Sequence, residues 1–378
     1  MPNHIIIIGP AHPLRGGLAS FNERLAQEYI SQGHTVVIYT FSLQYPTFLF
    51  PGTTQYSTEP APVGIPIKVC INSINPFNWI RVGLALKKTK PNLIIVRYWM
   101  PFMAPCLGTI LRIVVRNRFT KILCIADNVV PHERKFYDNA FTTYFVKPIT
   151  AFVTMSHKVL NDLVKFTSKS ATVVTHPLYD SFGEAVAQPE AKAIIQIDAT
   201  KKTLLFFGFI RKYKGLDLLL EAVKIIKDTN TQLYHNIQLI IAGEYYEDET
   251  KYTELIRTLD IADAVKLQTH YIPDSEVKYY LCSADVVVQP YRNATQSGVT
   301  PLAYHYNIPM IVTNVGALAS NVPHGIVGLV CNPTPQDIAQ AIIQYFSMDK
   351  NEFVQNIKEE KKQYSWLKLT EAIKKITS

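Results

Sequence analysis

The sequence predicts an α/β protein made of two similar, doubly wound domains. Short runs rich in β-branched residues alternate with amphipathic helical patterns, as parallel sheets covered by helices require. The pattern begins again after a polar, alanine-rich stretch at 183–200, and 378 residues are too many for one ordinary core. We interpret that stretch as a linker. The expected divisions are a first domain at 1–183, a second at 184–357, and a helical tail at 358–378 that packs back on the first domain.

The strand candidates are short and almost continuously apolar, as expected for parallel strands buried on both faces. They are residues 5–8, 35–40, 93–97, 122–126, 151–155 and 172–175, then 203–207, 237–242, 285–289 and 310–313. The clearest helices between them are 18–30, 216–226 and 338–346. Open sheets of this kind bind ligands beyond the carboxyl ends of their strands. We therefore expect the loops at 9–17, 208–215, 243–244 and 292–298 to face one cleft.

Composition narrows the class of protein. A hydrophobic content of 48% and a charged content of 18% are typical of a globular chain and exclude disorder. The net charge of +8 favours an anionic partner such as a nucleotide, a phospholipid surface or nucleic acid, with solubility as the alternative explanation. No nucleic-acid-binding motif is visible, so nucleic acid is not an expected partner. The five scattered cysteines lack metal-ligand spacing and are predicted to be buried thiols in a reducing cytoplasm.

The beginning of the chain predicts a first strand, because it lacks the charged start and cleavage site of a signal peptide. No uncharged run reaches the roughly 18 residues that a membrane span needs. We therefore expect a cytoplasmic protein that is soluble or peripheral at the inner membrane face. Residues 97–103, with Arg112, Arg116 and Arg118, mix aromatic and cationic side chains. This segment fits either a surface that meets anionic lipid headgroups or a core helix with flanking charges.

Two loops in the second half predict a diphosphate site. The first contains Arg211 and Lys214 directly before a helix, where cations oppose the helix dipole and need a compensating anion. The second contains Ser297, Gly298 and Val299, whose backbone amides can approach a ligand at the start of another helix. Cations and amide donors together can carry the charge of a diphosphate. We therefore expect no metal and no cofactor, with the nucleotide acting as part of the substrate.

Polar and flexible residues also follow strands in the first half. Gly16 and Gly17 are expected to need positive φ or a close backbone approach, which suits a loop beside a ligand. A group of polar side chains follows the strand at 122–126, and such strand-end loops often carry chemistry. The group is Asp127, Asn128, His132 and Glu133. We expect it to bind part of the substrate, although a solvated turn is the alternative interpretation.

Five segments in order resemble the retaining, bacterial branch of the sugar-nucleotide-dependent glycosyltransferases with two Rossmann-like domains, the GT-B architecture. They are residues 14–18, 208–215, 239–244, 271–273 and 284–291. The resemblance implies that 14–18 approaches the transferred sugar and the acceptor, and that Arg211 and Lys214 clamp phosphate. The polar group at 127–133 is then expected to bind the sugar or the acceptor. It also implies nucleoside contacts from residues in the second half: Gly243, Glu244, Ile272 and Gln296. Asp127 falls at or near the family's histidine position, so Asp127 and His132 are the catalytic candidates.

The chain departs from this family where a pair of glutamates usually precedes the strand at 310–313. Ala294 and Leu302 occupy those positions, so Gln296, Glu244 or backbone groups are expected to hold the ribose instead. Three functions remain open. The first is transfer of a sugar to a glycan or lipid-linked hydroxyl, as in bacterial polysaccharide biosynthesis. The others are nucleotide-sugar binding without turnover and epimerisation of a nucleotide sugar.

Overall fold

The computed structural model describes residues 3–46, 54–130, 135–178, 180–294 and 297–378. The chain divides into two compact units, each with its own parallel sheet. The first unit contains residues 1–177 and 365–378, and the second contains 178–364. The chain therefore leaves the first unit after residue 177 and returns to it after residue 364, whereas the sequence predicted divisions after residues 183 and 357.

Within its described residues, the first unit has a sheet of seven parallel strands in the order β3-β2-β1-β4-β5-β6-β7. The strands are β1 His4–Ile8, β2 Thr35–Leu43, β3 Ile67–Asn72, β4 Leu93–Tyr98, β5 Lys121–Ala126, β6 Ala151–Thr154 and β7 Ala171–Val173. The helices are α1 Gly17–Ser31, α2 Pro76–Thr89, α3 Ala104–Val114, α4 Asp138–Val146, α5 His157–Leu163 and, from the end of the chain, α15 Trp366–Thr377. The central strands are buried on both faces, which explains their continuous apolar runs.

Within its described residues, the second unit has six parallel strands in the order β10-β9-β8-β11-β12-β13. The strands are β8 Lys202–Phe207, β9 Ile237–Ala242, β10 Val265–Gln268, β11 Val286–Gln289, β12 Met310–Thr313 and β13 Gly328–Cys331. The helices are α6 Gln188–Ile194, α7 Leu216–Thr229, α8 Thr231–Asn236, α9 Thr250–Thr258, α10 Val277–Ser283, α11 Val299–His305, α12 Leu318–Asn321, α13 Pro335–Ser347 and α14 Lys350–Glu360. The order reverses between β8 and β11, so the loops after these strands lie at the switch point.

The predicted linker at 183–200 is wrong, because it contains α6. Ala191 and Lys192 of this helix are buried, and Lys192 Nζ donates a hydrogen bond to the Lys201 carbonyl at 2.7 Å. The mixture of alanine and polar residues in this stretch forms an amphipathic helix that packs on α10, and it is not a solvent-exposed linker. The first residues of the predicted tail belong to α14, in the second unit.

The end of the chain packs within the first unit. Trp366 and Leu369, the apolar side chains that the sequence places on α15, are both buried. The Trp366 ring lies 4.8 Å from that of Phe21 on α1, and the Arg24 guanidinium lies 5.1 Å from the Trp366 ring. Ser365 begins the helix by accepting a hydrogen bond from the Lys368 amide.

Two further properties bear on the predictions from composition. Among the described residues, no helix is both long enough and apolar enough to span a bilayer. All five cysteines are free thiols, of which Cys70 and Cys331 are half-buried and the other three are buried. Burial raises the pKa of the Cys331 thiol to about 12.

Candidate functional site

The loop between β8 and α7 has a backbone path that glycine makes possible. Gly208 has φ +92° and Gly215 has φ +66°, both in the left-handed region that other residues rarely adopt. A Cβ on Gly215 would lie 2.1 Å from the Pro290 carbonyl oxygen, so this loop lies directly against the loop after β11. The two loops at the switch point are therefore packed together.

Lys214 is a buried cation in this loop. Lys214 is 8% exposed, and its Nζ makes no hydrogen bond or ion pair with any residue that the structure describes. Burial, followed by the nearby charge of Arg211, lowers the pKa of Lys214 to about 7. Its Nζ lies 5.6 Å from the Tyr291 ring centroid and 3.1 Å from the point where a Cβ of Gly208 would stand. A buried ammonium without an anion is unfavourable unless a ligand supplies that anion.

Arg211 begins the short 3₁₀ turn that carries Lys214. Its side chain is exposed, and its guanidinium carbon lies 4.8 Å from the Tyr246 ring centroid. Stacking on Tyr246 holds this cation near the loop without neutralising it. The structure thus brings together the two cations that the sequence predicts as a phosphate clamp.

A salt bridge that the sequence reasoning missed stabilises the clamp loop. Arg292, after β11, donates two hydrogen bonds to the Asp217 carboxylate, at 2.6 and 3.0 Å. The Arg292 amide also donates to the Tyr213 carbonyl at 2.7 Å. The sequence did carry a signal for this pair, because Asp217 follows β8, Arg292 follows β11, and these two strands are neighbours in the sheet.

The beginning of α11 lies beside the same loop. Val299 Cγ2 is 3.8 Å from the point where a Cβ of Gly208 would stand. The Val299 amide donates to Ser297 Oγ at 3.2 Å, and the Tyr291 hydroxyl lies 3.3 Å from that oxygen. The predicted donors of Ser297 and Val299 are therefore close to Lys214, but the Val299 amide already has an internal acceptor. Gly298 is the residue that precedes α11.

The predicted nucleoside residues follow β9 and β10. Gly243 has φ +134°, and a Cβ there would lie 2.4 Å from the Gly208 carbonyl oxygen, so only glycine fits. The Glu244 carbonyl accepts a hydrogen bond from the Ile210 amide at 2.9 Å, which joins this loop to the clamp loop. Glu244 and Ile272 are both buried. Gln296 lies outside the described residues.

The two positions that depart from the glutamate pattern are apolar and buried. Ala294 is 2% exposed and Leu302 is 6% exposed. A Cβ on Gly316 would lie 1.6 Å from the Ala294 carbonyl oxygen, so the loop after β11 also packs closely on the loop after β12. Both positions are therefore occupied by packed apolar side chains, which cannot accept hydrogen bonds from a ribose.

In the first unit, the loop after β1 has the predicted backbone feature. Gly16 has φ +102° with no atom within 4 Å of its missing Cβ, and Gly17 begins α1. The Arg15 amide donates to the Gln55 carbonyl at 3.1 Å, and Arg15 Nε donates to the Thr54 carbonyl at 2.7 Å. The loop is thereby held against the segment that follows β2.

Asp127, one of the two predicted catalytic residues, forms a buried ion pair. Its carboxylate accepts two hydrogen bonds from Arg97, from Nε and Nη2, each at 2.5 Å. Arg97 is 2% exposed, and its guanidinium carbon lies 3.7 Å from the Phe21 ring centroid. Arg97 Nη1 is buried without a hydrogen-bond partner among the described residues. The carboxylate predicted as catalytic thus pairs with a cation on the neighbouring strand.

Of the other polar residues predicted at this edge of the sheet, only Asn128 lies within the described residues. Asn128 is half-buried, while His132 and Glu133 lie outside the described residues. His176, which follows β7, is buried, and its ring lies 5.2 Å from that of Phe21. Burial lowers the pKa of His176 to about 3, so this imidazole is neutral at physiological pH.

The aromatic and cationic segment at 97–118 is mainly part of the core, which corrects the surface interpretation for most of it. Arg97 is buried against Asp127, and the apolar face of α3 is fully covered. Arg112 is half-buried, with Nη2 donating to the Tyr144 carbonyl at 2.9 Å. Only Arg116 and Arg118, among the cations proposed for that surface, are exposed in the structure.

No group of three or more His, Cys, Asp or Glu side chains is arranged to hold a metal ion in the part of the chain that the structure describes.

Residues 187–364 match the family model described as Glycosyl transferases group 1. The match covers most of the second unit and somewhat less than half of the chain. Among curated proteins, the chain is similar to D-inositol 3-phosphate glycosyltransferase of Thermobifida fusca, with 27% identity over 144 residues. The alignment covers 37% of this chain and 33% of that protein, so the chain spans about a third of its relative's length.

Solved structures match nearly the whole chain. Sucrose-phosphate synthase from Thermosynechococcus elongatus has a TM-score of 0.73 at 15% identity, covering 99% of both chains. Anabaena HepE in complex with UDP has a TM-score of 0.71 at 12% identity, covering 99% of this chain and 98% of that one. HepE has also been solved with UDP-glucose. At these identities the likeness shows the fold, which is that of two Rossmann-like domains of the GT-B class.

Proposed function

We propose that the protein is a glycosyltransferase that moves a sugar from a nucleoside-diphosphate donor to a hydroxyl acceptor. The observation that carries this proposal is Lys214, a buried cation without an anion in a loop built by Gly208 and Gly215. The family match includes this loop, and HepE, which shares the fold, binds UDP. UDP and UDP-sugars are therefore the first donors to test.

The chemistry requires charge to be stabilised on a departing diphosphate. The bond between the anomeric carbon and the diphosphate oxygen breaks, and its electron pair remains on the nucleoside diphosphate. The acceptor hydroxyl oxygen bonds to that carbon, and its proton passes to the departing phosphate or to water. Lys214 and Arg211 would offset the developing charge, which can lower the barrier by several kcal/mol.

The finer parts of the proposal rest on the same residues. Two cations that can neutralise a diphosphate support transfer without a metal or other cofactor. Retention at the anomeric carbon is supported by the resemblance of the clamp and glycine-loop segments to the retaining branch. Asp127, paired with Arg97, would orient that cation beside the sugar or acceptor rather than act as a base. The proposed acceptor is a glycan or a lipid-linked hydroxyl, and the proposed location is the cytoplasm or its membrane face.

The direct test is incubation with UDP-, GDP-, ADP- and dTDP-sugars, with and without glycan or lipid-linked acceptors. We expect nucleoside diphosphate release that depends on acceptor, and a product whose anomeric configuration by NMR matches that of the donor. Lys214→Met should abolish release, whereas Lys212→Met, which changes an exposed neighbouring cation, should not. No release from any donor and acceptor pair, or equal activity in Lys214→Met, would contradict the proposal.

Binding of a nucleotide sugar without turnover is the second candidate. Ala294 and Leu302 favour it, because buried apolar side chains stand where the resembling family has glutamates. Under this alternative, nucleotides raise the thermal unfolding midpoint through Lys214, but neither release nor transfer follows. Epimerisation would instead convert a nucleotide sugar when no acceptor is present.

A further inference from the structure

Helix α2 presents a large apolar surface to solvent. Phe77 is 85% exposed, Leu84 is 48% exposed and Ile80 is 46% exposed. Their spacing of three and four residues puts them on one face of the helix. Ile74, just before the helix, is 51% exposed and extends the row. Four large apolar side chains in one exposed row mark a surface that binds something.

The opposite face of α2 is packed firmly on the core of the first unit. Val82 and Leu86 are buried in the core of the first unit. A Cβ on Gly83 would lie 2.9 Å from Ile113 Cδ1, which shows how closely α2 packs on α3. Asn75 caps the helix by accepting a hydrogen bond from the Asn78 amide.

Cations flank this row, and α2 itself contains no acidic residue. Arg81 and Lys88 lie on the exposed arc of α2, and Lys87 lies at its side. The 3₁₀ turn Val115–Asn117, next to α2, adds the exposed Arg116. From residue 60 to residue 126 the sequence has ten Lys and Arg and no Asp or Glu. The stretch of sequence that contains α2 is therefore strongly basic.

We propose that the exposed face of α2 docks the protein on an anionic lipid bilayer. Apolar side chains flanked by cations are the arrangement that places a helix in the interface of a membrane with negative headgroups. The bilayer is favoured over a second copy of this chain, because a symmetric dimer through α2 would put these cations opposite one another. This docking does not depend on the proposed sugar transfer.

The test is co-sedimentation with vesicles of phosphatidylcholine alone and of phosphatidylcholine with phosphatidylglycerol. We expect binding to the anionic vesicles at low salt, and weaker binding at high salt as screening increases. Changing Arg81, Lys87 and Lys88 to Gln should weaken binding about a hundredfold, at roughly fivefold for each cation near the surface. Phe77→Ser with Leu84→Ser should weaken it at least tenfold, because less apolar surface is buried.

Matched controls change equally exposed residues elsewhere. The charge control removes three cations from the second unit by changing Lys251, Lys266 and Lys358 to Gln. The apolar control removes two exposed apolar side chains with Val164→Ser and Leu267→Ser. Both controls should bind within about threefold of the unmodified protein, as expected if only nearby charges count. Since these side chains are exposed, apart from the half-buried Lys87, thermal unfolding midpoints should stay nearly unchanged and UDP binding should be kept.

A second readout locates the contact. Phe77→Trp should gain fluorescence quenching by brominated lipid relative to the unmodified protein, while Val164→Trp should not. The proposal is overturned if the unmodified protein ignores anionic vesicles at low salt, or if the α2 variants bind as well as the controls. A dimer in light scattering that the Phe77→Ser and Leu84→Ser variant dissociates would also overturn it, because the face would then be a subunit interface.

Discussion

Lys214→Met is expected to stabilise the free protein while removing its nucleotide binding. In the folded state, burial and Arg211 lower the pKa of Lys214 from 10.5 to about 7. One pKa unit corresponds to about 1.4 kcal/mol, so the charged form costs on the order of 5 kcal/mol of folding free energy. Methionine has a similar length and no charge, so the substitution removes this cost and fills the same space.

The pH dependence follows from the sign of that shift. Below pH 7 the lysine is charged in both folded and unfolded states, so the whole cost is present. Between pH 7 and 10.5 the unfolded chain binds the proton more tightly, so the stability of the unmodified protein rises with pH. The advantage of Lys214→Met should therefore be largest at pH 6 and decline steadily toward pH 10.

Differential scanning calorimetry without ligand measures this advantage. At pH 6 the midpoint of the Lys214→Met variant should lie about 10 °C above that of the unmodified protein, on the usual scaling for a domain of this size. Lys212→Met, an exposed substitution, should change the midpoint by less than about 2 °C. A Lys214→Met midpoint equal to or below the unmodified one at pH 6, or a difference independent of pH, would refute the reasoning.

Three further predictions concern the same sites. Affinity for a nucleoside diphosphate should fall by up to tenfold per unit between pH 7.5 and 9.5, because binding requires protonated Lys214; calorimetry showing a flat profile would contradict this. EDTA should leave sugar transfer largely intact, and loss of activity that Mg²⁺ or Mn²⁺ restores would rule out a metal-free clamp. Arg97→Met should lower unfolding free energy by about 3–5 kcal/mol in urea titrations, because Asp127 is left buried and charged; a loss below about 1 kcal/mol would mean that the pair is dispensable.

The sequence predicted the four central strands of the second unit and the glycine-containing loop after β8, because those features are local. β8 and β9 are continuous apolar runs, and the clamp loop carries its glycines and cations within one short stretch. Edge strands were missed because their composition is less distinctive. β10 alternates exposed lysine with apolar residues, and β13 begins at Gly328, where a Cβ would lie 1.9 Å from the Met310 carbonyl oxygen.

The hydrophobic pattern of the sequence could not predict contacts between distant parts of the chain. Arg97 and Asp127 are thirty residues apart and meet only because β4 and β5 are paired. The sequence left the segment that begins at Arg97 open between a lipid-facing surface and a core helix, because a lone cation in a strand gives no sign of burial. The apolar face of α2 also went unrecognised, since amphipathic helices usually turn such a face to the core.

Calorimetric titration with UDP and with uridine tests the central claim most directly. The account predicts that UDP binds the unmodified protein far more tightly than uridine does. Lys214→Met should remove that difference and leave uridine binding unchanged, whereas Lys212→Met should have no effect on either ligand. The same comparison with GDP and ADP tests whether the protein prefers another base. If Lys214→Met weakens UDP and uridine equally, or if every diphosphate binds it as tightly as the unmodified protein, then the buried lysine does not contact phosphate and the account is wrong.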